Sequence, residues 1–176
     1  MKTNIALIGF MGAGKTVVGK ALAKKLNREF VELDYLIEHK AGKSIPQIFQ
    51  QDGEVAFREL EIEVTKEVSN AKNQVIACGG GLVLNKINID RLRKEAIIIY
   101  LTASPGVLLK RVSGNGEERP LLNVSNKASE IRELLRFRKP FYERAADIKI
   151  DTSKLDIDSV TEQIIKKLKD DESFNF

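Results

Sequence analysis

The sequence is poor in the residues on which several classes of protein depend. Cys78 is the only cysteine among 176 residues, so no internal disulfide can form and a reducing compartment is expected. Tryptophan is absent, aromatic residues make up 6% of the chain, and no apolar run approaches the length of a membrane span. His39 is the only histidine, and a lone histidine is no metal site. Neither Cys78 nor His39 is expected to carry chemistry.

The charge of the chain is mild and spread out. The formal net charge is +4 at pH 7, and no dense lysine or arginine block is present. Such a charge favours anionic ligands or merely keeps the protein in solution. An apolar segment that is predicted to be a strand begins at residue 5, so no signal peptide is expected. We therefore expect residues 1–176 to form one cytoplasmic, monomeric domain that binds neither nucleic acid nor membranes.

The most specific motif is a glycine-rich loop between an apolar segment and a helical pattern. Residues 9–16 read Gly-Phe-Met-Gly-Ala-Gly-Lys-Thr, which matches the phosphate-binding loop Gly-x4-Gly-Lys-Ser/Thr. Glycines let backbone N–H groups approach phosphate oxygens, and the helix N-terminus adds partial positive charge. The predicted ATP-binding residues of this segment are Gly12, Ala13, Gly14, Lys15, Thr16 and Val17. Lys15 is expected to reach the β- and γ-phosphates, and the Thr16 hydroxyl can ligate Mg²⁺.

Apolar segments alternate with helical patterns along the chain. Strands are predicted at residues 5–8, 29–34, 74–78, 96–101 and 146–150. Residues 113–127 have little periodicity and are predicted to form a mobile loop, and residues 170–176 a frayed tail. The helix at 129–139 is expected to end at Pro140. The alternation predicts an α/β sandwich around a parallel sheet, with ligands beyond the carboxyl ends of the strands.

Two carboxylates end the second predicted strand. Glu32 and Asp34 are two residues apart, so on an extended strand their side chains point to the same side. Phosphoryl transfer needs one carboxylate for Mg²⁺ or its water and another to orient the attacking hydroxyl. The alternative is a solvated acidic strand end at which Asp34 caps the following helix.

Three arginines are candidates for binding anions. Arg58 either pairs with glutamates on its own helix or grips a substrate anion. Arg138 likewise either forms an ion pair or binds a substrate anion. Three other arginines lie near it in the sequence: Arg132, Arg136 and Arg144. Arg119, within residues 113–127, either closes over the γ-phosphate or is a solvated loop residue.

A run of three glycines follows the third predicted strand. Gly79, Gly80 and Gly81 weaken any regular element, and they suit a place where backbone closely approaches a ligand. The alternative is a tight turn without a ligand.

Taken in order, these motifs resemble those of the shikimate kinases. The resemblance extends from residue 5 to about residue 168 and rests on residues 9–16, 30–34, 53–58, 79–81, 119–122, 138–142 and 150–153. It implies a three-layer α/β/α P-loop kinase fold with a five-stranded parallel sheet in the order 2-3-1-4-5. It also implies substrate-binding helices at 34–70, a lid at about 113–127, and Mg²⁺-dependent transfer of the ATP γ-phosphate to the 3-hydroxyl of shikimate in aromatic amino-acid biosynthesis.

The resemblance assigns a role to each matching position. Asp34 is expected to hold and polarise the acceptor hydroxyl, with Lys15 and Arg119 acting on the phosphates. The residues implied to contact the acceptor are Asp34, Arg58, Gly79, Gly80, Gly81 and Arg138. Those implied to flank the adenine are Arg111, Asp151, Thr152 and Ser153.

The chain departs from the family pattern at the metal site. The family usually has Asp-x-Asp where this chain has Glu32-Leu33-Asp34. Glutamate is one methylene longer, so the Mg²⁺ that the first carboxylate holds through water is expected to shift or to bind with a different geometry. The predicted lid also carries Glu117 and Glu118, which could weaken its attraction to phosphate.

Two rival functions remain open. One is another small kinase, such as a gluconate or nucleoside-monophosphate kinase, although the glycine run and the stretch Gly-Glu-x-x-Phe-Arg argue against both. The other is a non-catalytic ATP-binding regulator or nucleic-acid-binding module, which would bind nucleotide without acceptor-dependent release of ADP.

Overall fold

The computed structural model, which describes residues 1–114, 126–154 and 156–176, has helices on both faces of a five-stranded sheet. All strand pairs are parallel, and the spatial order is β2-β3-β1-β4-β5. The strands are β1 (Asn4–Ile8), β2 (Glu29–Glu32), β3 (Gln74–Ala77), β4 (Ala96–Thr102) and β5 (Ile148–Asp151). This arrangement confirms the predicted fold class and strand order.

Helices connect the strands and cover the sheet. They are α1 (Lys15–Leu26), α2 (Leu33–Ala41), α3 (Ile45–Gln51), α4 (Gly53–Val68), α5 (Lys86–Glu95), α6 (Pro105–Gly114), α7 (Lys127–Ala145) and α8 (Ile157–Lys169). A short 3-10 helix, Leu82–Leu84, follows the glycine run. Strands β1 and β3 are buried along their whole length, as expected for central strands covered on both faces. Within the described ranges, no helix has both the length and the apolar character needed to cross a membrane.

The prediction that Pro140 ends a helix is wrong. Helix α7 continues through Pro140 to Ala145. A proline in a helix interior costs about 3 kcal/mol, because it removes one hydrogen bond and crowds the preceding turn. The buried side chains around it offset that cost, since Arg138 and Tyr142 lie in the core and the Tyr142 ring stacks on Tyr100 with centroids 5.0 Å apart. Tertiary packing therefore overrides the local preference.

The prediction of a frayed C-terminal tail is also wrong. Lys2 donates its backbone N–H to Ser173 at 2.7 Å and accepts one from Asn175 at 2.8 Å. Phe174 is buried, and the Arg28 guanidinium lies 4.7 Å from the centre of its ring. The two backbone hydrogen bonds join residues more than 170 positions apart, so no local pattern could have indicated them.

The predicted lid lies largely outside the described residues. Its first two residues, Ser113 and Gly114, belong to α6, and its last residue, Lys127, begins α7. The Asn126 side chain accepts a hydrogen bond from the Ser129 backbone at 3.4 Å and so caps α7. Arg119, Glu117 and Glu118 lie outside the described residues.

Candidate active site

The phosphate-loop residues already form a closed turn. Gly12 and Gly14 have φ angles of 80° and 97°, the left-handed region that favours glycine. A side chain at Gly12 would lie 3.2 Å from Val112. The Lys15 ammonium donates to the carbonyl oxygens of Gly9 at 2.8 Å and Phe10 at 2.9 Å, across the mouth of the loop. The loop sits at the N-terminus of α1, where the helix dipole favours an anion.

Arg111 of α6 and Thr152, which directly follows β5, brace this loop from behind. The Arg111 guanidinium donates to the Gly12 carbonyl at 3.1 Å and to the Thr152 carbonyl at 2.5 Å. The Thr152 hydroxyl is fully buried and donates to the Ala13 carbonyl at 2.7 Å. Ser153 follows directly, and both its N–H and its hydroxyl donate to Asp151, which lowers the pKa of that carboxyl. The residues expected to flank the adenine are thus brought next to the loop.

Glu32 and Thr16 lie in direct contact. The Thr16 hydroxyl donates to the Glu32 carboxylate at 2.8 Å. Burial raises the pKa of Glu32, and the hydrogen bond from Thr16 only partly opposes that shift. In the described part of the chain, no group of three or more His, Cys, Asp or Glu side chains could hold a metal ion. A pair of oxygen donors fits Mg²⁺, which keeps several waters and takes few protein ligands.

Asp34 does not lie on a strand. Strand β2 ends at Glu32, and α2 begins at Leu33, so the expectation that the two carboxylates share one face of an extended strand is wrong. Leu33 and Ile37 are four residues apart and both buried, and this helical spacing draws the chain into α2 before Asp34. Glu32 is directed to Thr16, whereas an Asp34 oxygen lies 3.0 Å from where a side chain on Gly79 would be. The two carboxylates therefore have different neighbours, Thr16 and Gly79.

Arg58 lies over the glycine run. A Cβ atom on Gly81 would be 2.4 Å from its guanidinium, so a side chain there would displace the guanidinium from this position. The same guanidinium pairs with Glu61 at 3.0 Å and with the more exposed Glu54 at 3.3 Å. The ion pairs that were the alternative to anion binding are thus present, and they hold the arginine at the glycine run.

Glu61 is a site residue that the sequence interpretation gave no role of its own. Its side chain is 1% exposed, and its Oε2 atom has no hydrogen-bond partner within the described ranges. Burial raises the pKa of Glu61, although the positive charge of Arg58 opposes the shift. Glu61 lies four residues after Phe57, on the buried stripe of α4. A glutamate on an apolar stripe was the signal that could have singled it out.

Arg138 and Tyr142 approach the glycine run from α7. Arg138 is 2% exposed, and its guanidinium lies 3.4 Å from where a side chain on Gly80 would be. The Tyr142 hydroxyl donates to the Gly80 carbonyl. Tyr142 entered the sequence interpretation only as part of a motif, and the burial of a tyrosine hydroxyl cannot be read from spacing alone. The site thus contains one further buried polar group, in contact with the glycines.

Three further residues from the sequence analysis differ in how far they are buried. Cys78 is buried, and burial raises the pKa of its thiol, so the expectation that it carries no chemistry is consistent with its environment. His39 is exposed on α2. Val17, expected near ATP, lies on α1 and is largely exposed.

Comparison with known proteins gives a consistent result. A family model described as shikimate kinase matches residues 11–169. The chain is 48% identical to a shikimate kinase from Caldanaerobacter subterraneus over 93% of its own length and 94% of that protein. It is equally similar to one from Thermodesulfovibrio yellowstonii, with the same coverage. Among solved structures, a shikimate kinase from Acinetobacter baumannii in complex with shikimate superposes with a TM-score of 0.92 at 37% identity, covering 98% of this chain and 96% of that one.

Proposed function

The chain belongs to the shikimate kinase family, and from this membership we propose that it transfers the γ-phosphoryl group of ATP to the 3-hydroxyl of shikimate. The products are shikimate 3-phosphate and ADP, in the route to the aromatic amino acids. The observation that carries the proposal is that the phosphate loop, the carboxylates of Asp34 and Glu61, and two arginines meet at Gly79–81, beyond the carboxyl end of β3.

The phosphate loop provides the donor side of the reaction. Backbone N–H groups of residues 12–17 bind the phosphates, and Lys15 moves from the Gly9 and Phe10 carbonyls to the β- and γ-phosphates. Arg111 and residues 151–153 hold the adenine end. Arg119 closes over the γ-phosphate with the lid, which we place at residues 113–127. These contacts neutralise charge and fix orientation, which is most of what phosphoryl transfer requires.

The glycine run and its neighbours provide the acceptor side. Arg58 and Arg138 bind the shikimate carboxylate, because a planar guanidinium matches a carboxylate with two hydrogen bonds. The glycines let the ring lie against the backbone, and Glu61 positions Arg58. Asp34, which also lies beside Gly79, accepts the proton of the 3-hydroxyl as that oxygen attacks phosphorus.

Thr16 and Glu32 are the residues that we propose for Mg²⁺. The hydroxyl and the carboxylate are oxygen donors in contact beside the phosphate loop, which suits this ion. When bound, Mg²⁺ neutralises charge on the β- and γ-phosphates. Glu32 reaches Thr16 directly despite the departure from the family's aspartate, so the longer side chain is accommodated at this site.

Glu32→Gln is expected to raise the Mg²⁺ concentration that gives half-maximal activity about tenfold, because an anionic ligand of the ion or of its water is replaced by a neutral one. The measurement is a titration of shikimate-dependent ADP release against Mg²⁺ at saturating ATP. Glu29→Gln is the matched control, since Glu29 lies at the far end of the same strand and pairs with Gln74. An Mg²⁺ requirement equal to that of the wild type would remove Glu32 from the metal site.

One assay tests the proposed function against its rivals. ADP release is measured with shikimate, gluconate and nucleoside monophosphates offered in turn. Release with shikimate alone is expected. Release with gluconate or a nucleoside monophosphate instead would indicate another small kinase, and nucleotide binding without acceptor-dependent release would indicate a regulator.

The proposal also covers the domain organisation, the oligomeric state and the location of the protein. We propose that residues 1–176 act as a single kinase domain, with residues 34–70 forming the substrate-binding helices. We further propose a monomer that works in the cytoplasm without nucleic acid. Light scattering of the purified protein tests the oligomeric state.

A further inference from the structure

Helix α7 places two polar side chains against the glycine run, one helical turn apart. Arg138 and Tyr142 are four residues apart, so their side chains lie on the same face of the helix. Both are buried, and Tyr142 is fully enclosed. The Tyr142 hydroxyl donates to the Gly80 carbonyl and also interacts with the Arg138 guanidinium. One hydroxyl therefore connects an arginine of the acceptor site with the backbone of the glycine turn.

The hydrogen bond from Tyr142 completes a pattern along the turn. The Gly79 carbonyl accepts from the Leu82 N–H at 3.2 Å, and the Gly81 carbonyl accepts from the Leu84 N–H at 3.1 Å. Gly80 lies between them, and its carbonyl accepts from the Tyr142 hydroxyl. All three glycine carbonyls are thus held by donors of the protein itself. Tyr142 of α7 donates to the one glycine carbonyl that accepts no hydrogen bond from the short 3-10 helix.

This contact also sets the direction of a backbone N–H. The peptide between Gly80 and Gly81 is planar and trans, so the Gly80 carbonyl and the Gly81 N–H point in opposite directions. Holding the carbonyl toward Tyr142 directs the N–H away from α7. Glycine has little intrinsic preference between backbone conformations, so without the hydroxyl this peptide could rotate more easily than one between residues that carry side chains.

The Tyr142 ring is itself held in place. It stacks on Tyr100 of β4 with centroids 5.0 Å apart and an interplanar angle of 22°. Burial raises the pKa of Tyr142, which keeps the hydroxyl protonated and able to donate. The donor therefore reaches the glycine turn from a rigid support in the sheet.

We propose that Tyr142 is a positioning residue for the acceptor site, which orients the Gly80–Gly81 peptide and the Arg138 guanidinium together toward the shikimate carboxylate. It touches neither substrate. The proposal rests on the proposed function, because it assigns Tyr142 to the acceptor half of that site. The affinity for the acceptor therefore depends on the Tyr142 hydroxyl, whereas ATP binding at the phosphate loop does not.

Tyr142→Phe is the test, because it removes the hydroxyl and keeps the ring stacked. The expected result is a roughly tenfold higher KM for shikimate, with kcat and the KM for ATP each within about twofold of wild type. Tyr100→Phe is the matched control, since it removes a hydroxyl from the other ring of the same stack and is expected to leave the KM for shikimate unchanged. The carbon-13 shift of the Gly80 carbonyl in the free protein is expected to move in Tyr142→Phe and not in Tyr100→Phe.

The outcomes separate this inference from the function on which it rests. An unchanged KM for shikimate in Tyr142→Phe, with normal wild-type turnover, would overturn the positioning role alone. A fall in kcat or thermal stability with no selective change in the KM for shikimate would likewise overturn it, because it would indicate a purely structural tyrosine. Wild-type protein that releases no ADP with shikimate would instead overturn the proposed function.

Discussion

Asp34→Asn is expected to lower kcat with shikimate about a thousandfold and to leave ATP binding close to wild type. The asparagine keeps the size of the side chain and removes its ability to accept a proton. Asp34 lies in the first turn of α2 against Gly79, on the acceptor side, whereas the loop that binds ATP is formed by residues 9–16. The measurement is steady-state turnover together with ATP affinity from calorimetry.

The control for this variant is an aspartate with a similar structural role and no place in the site. Asp52 ends α3 and pairs with Lys43 at 2.5 Å. Asp52→Asn removes one surface carboxylate, so activity within about twofold of wild type is expected. Near-normal kcat in Asp34→Asn would remove Asp34 from the mechanism and leave a helix-terminal carboxylate with an electrostatic role only.

Arg58→Ala is expected to raise the KM for shikimate about a hundredfold, with a much smaller change in the KM for ATP. The guanidinium is held against Gly81 by Glu54 and Glu61, at a point that a Cβ atom on residue 81 would occupy. The alanine variant lacks one of the two guanidinium groups that we propose bind the substrate carboxylate. Initial rates over a matrix of shikimate and ATP concentrations separate the two KM values.

Glu54→Gln tests whether the loss of an ion pair of Arg58, with the arginine still present, changes the KM for shikimate. Glu54 is about half exposed and pairs with the same arginine, so its loss leaves the contact between Arg58 and Glu61 intact. The KM for shikimate is expected to stay within about twofold of wild type. An unchanged KM in Arg58→Ala would mean that Arg58 serves only its ion pairs. Arg58→Lys keeps the charge if the alanine variant does not fold.

Arg58→Ala also has an expected pH signature. The charge of Arg58 opposes the rise that burial causes in the pKa of Glu61, so its removal raises that pKa further. A glutamate whose pKa is higher in the folded state binds more protons there than when unfolded, so stability falls as the pH rises above the ordinary glutamate pKa. Denaturant unfolding of the variant is therefore expected to show its largest loss of stability at neutral pH and a partial recovery at pH 5.

The features that the sequence predicts correctly depend on neighbours along the chain. The strand predicted at residues 96–101 needs only a continuous apolar run, and β4 extends from Ala96 to Thr102. The phosphate loop needs only residues 9–16, in which Gly12 and Gly14 have left-handed φ angles of 80° and 97°. The order of the strands came from the family resemblance, because strands that alternate with helices are compatible with more than one order.

The incorrect predictions share a different cause. Pro140 stays inside α7 because Tyr142, two residues later, packs on Tyr100 in the sheet. Asp34 is helical because Leu33 before it is buried against the core. In each case a contact with a distant part of the chain outweighs a local preference of a few kcal/mol.

The sequence by itself determined the phosphate loop, since eight consecutive residues contain the glycines, the lysine and the hydroxyl that phosphate and Mg²⁺ require. Only the tertiary structure decided what surrounds Gly79–81: Arg58 and Glu61 from α4, Asp34 from α2, and Arg138 with Tyr142 from α7. These residues are up to 108 positions apart along the chain, from Asp34 to Tyr142. A local pattern can encode a backbone conformation, but which buried groups meet depends on how the helices pack on the sheet.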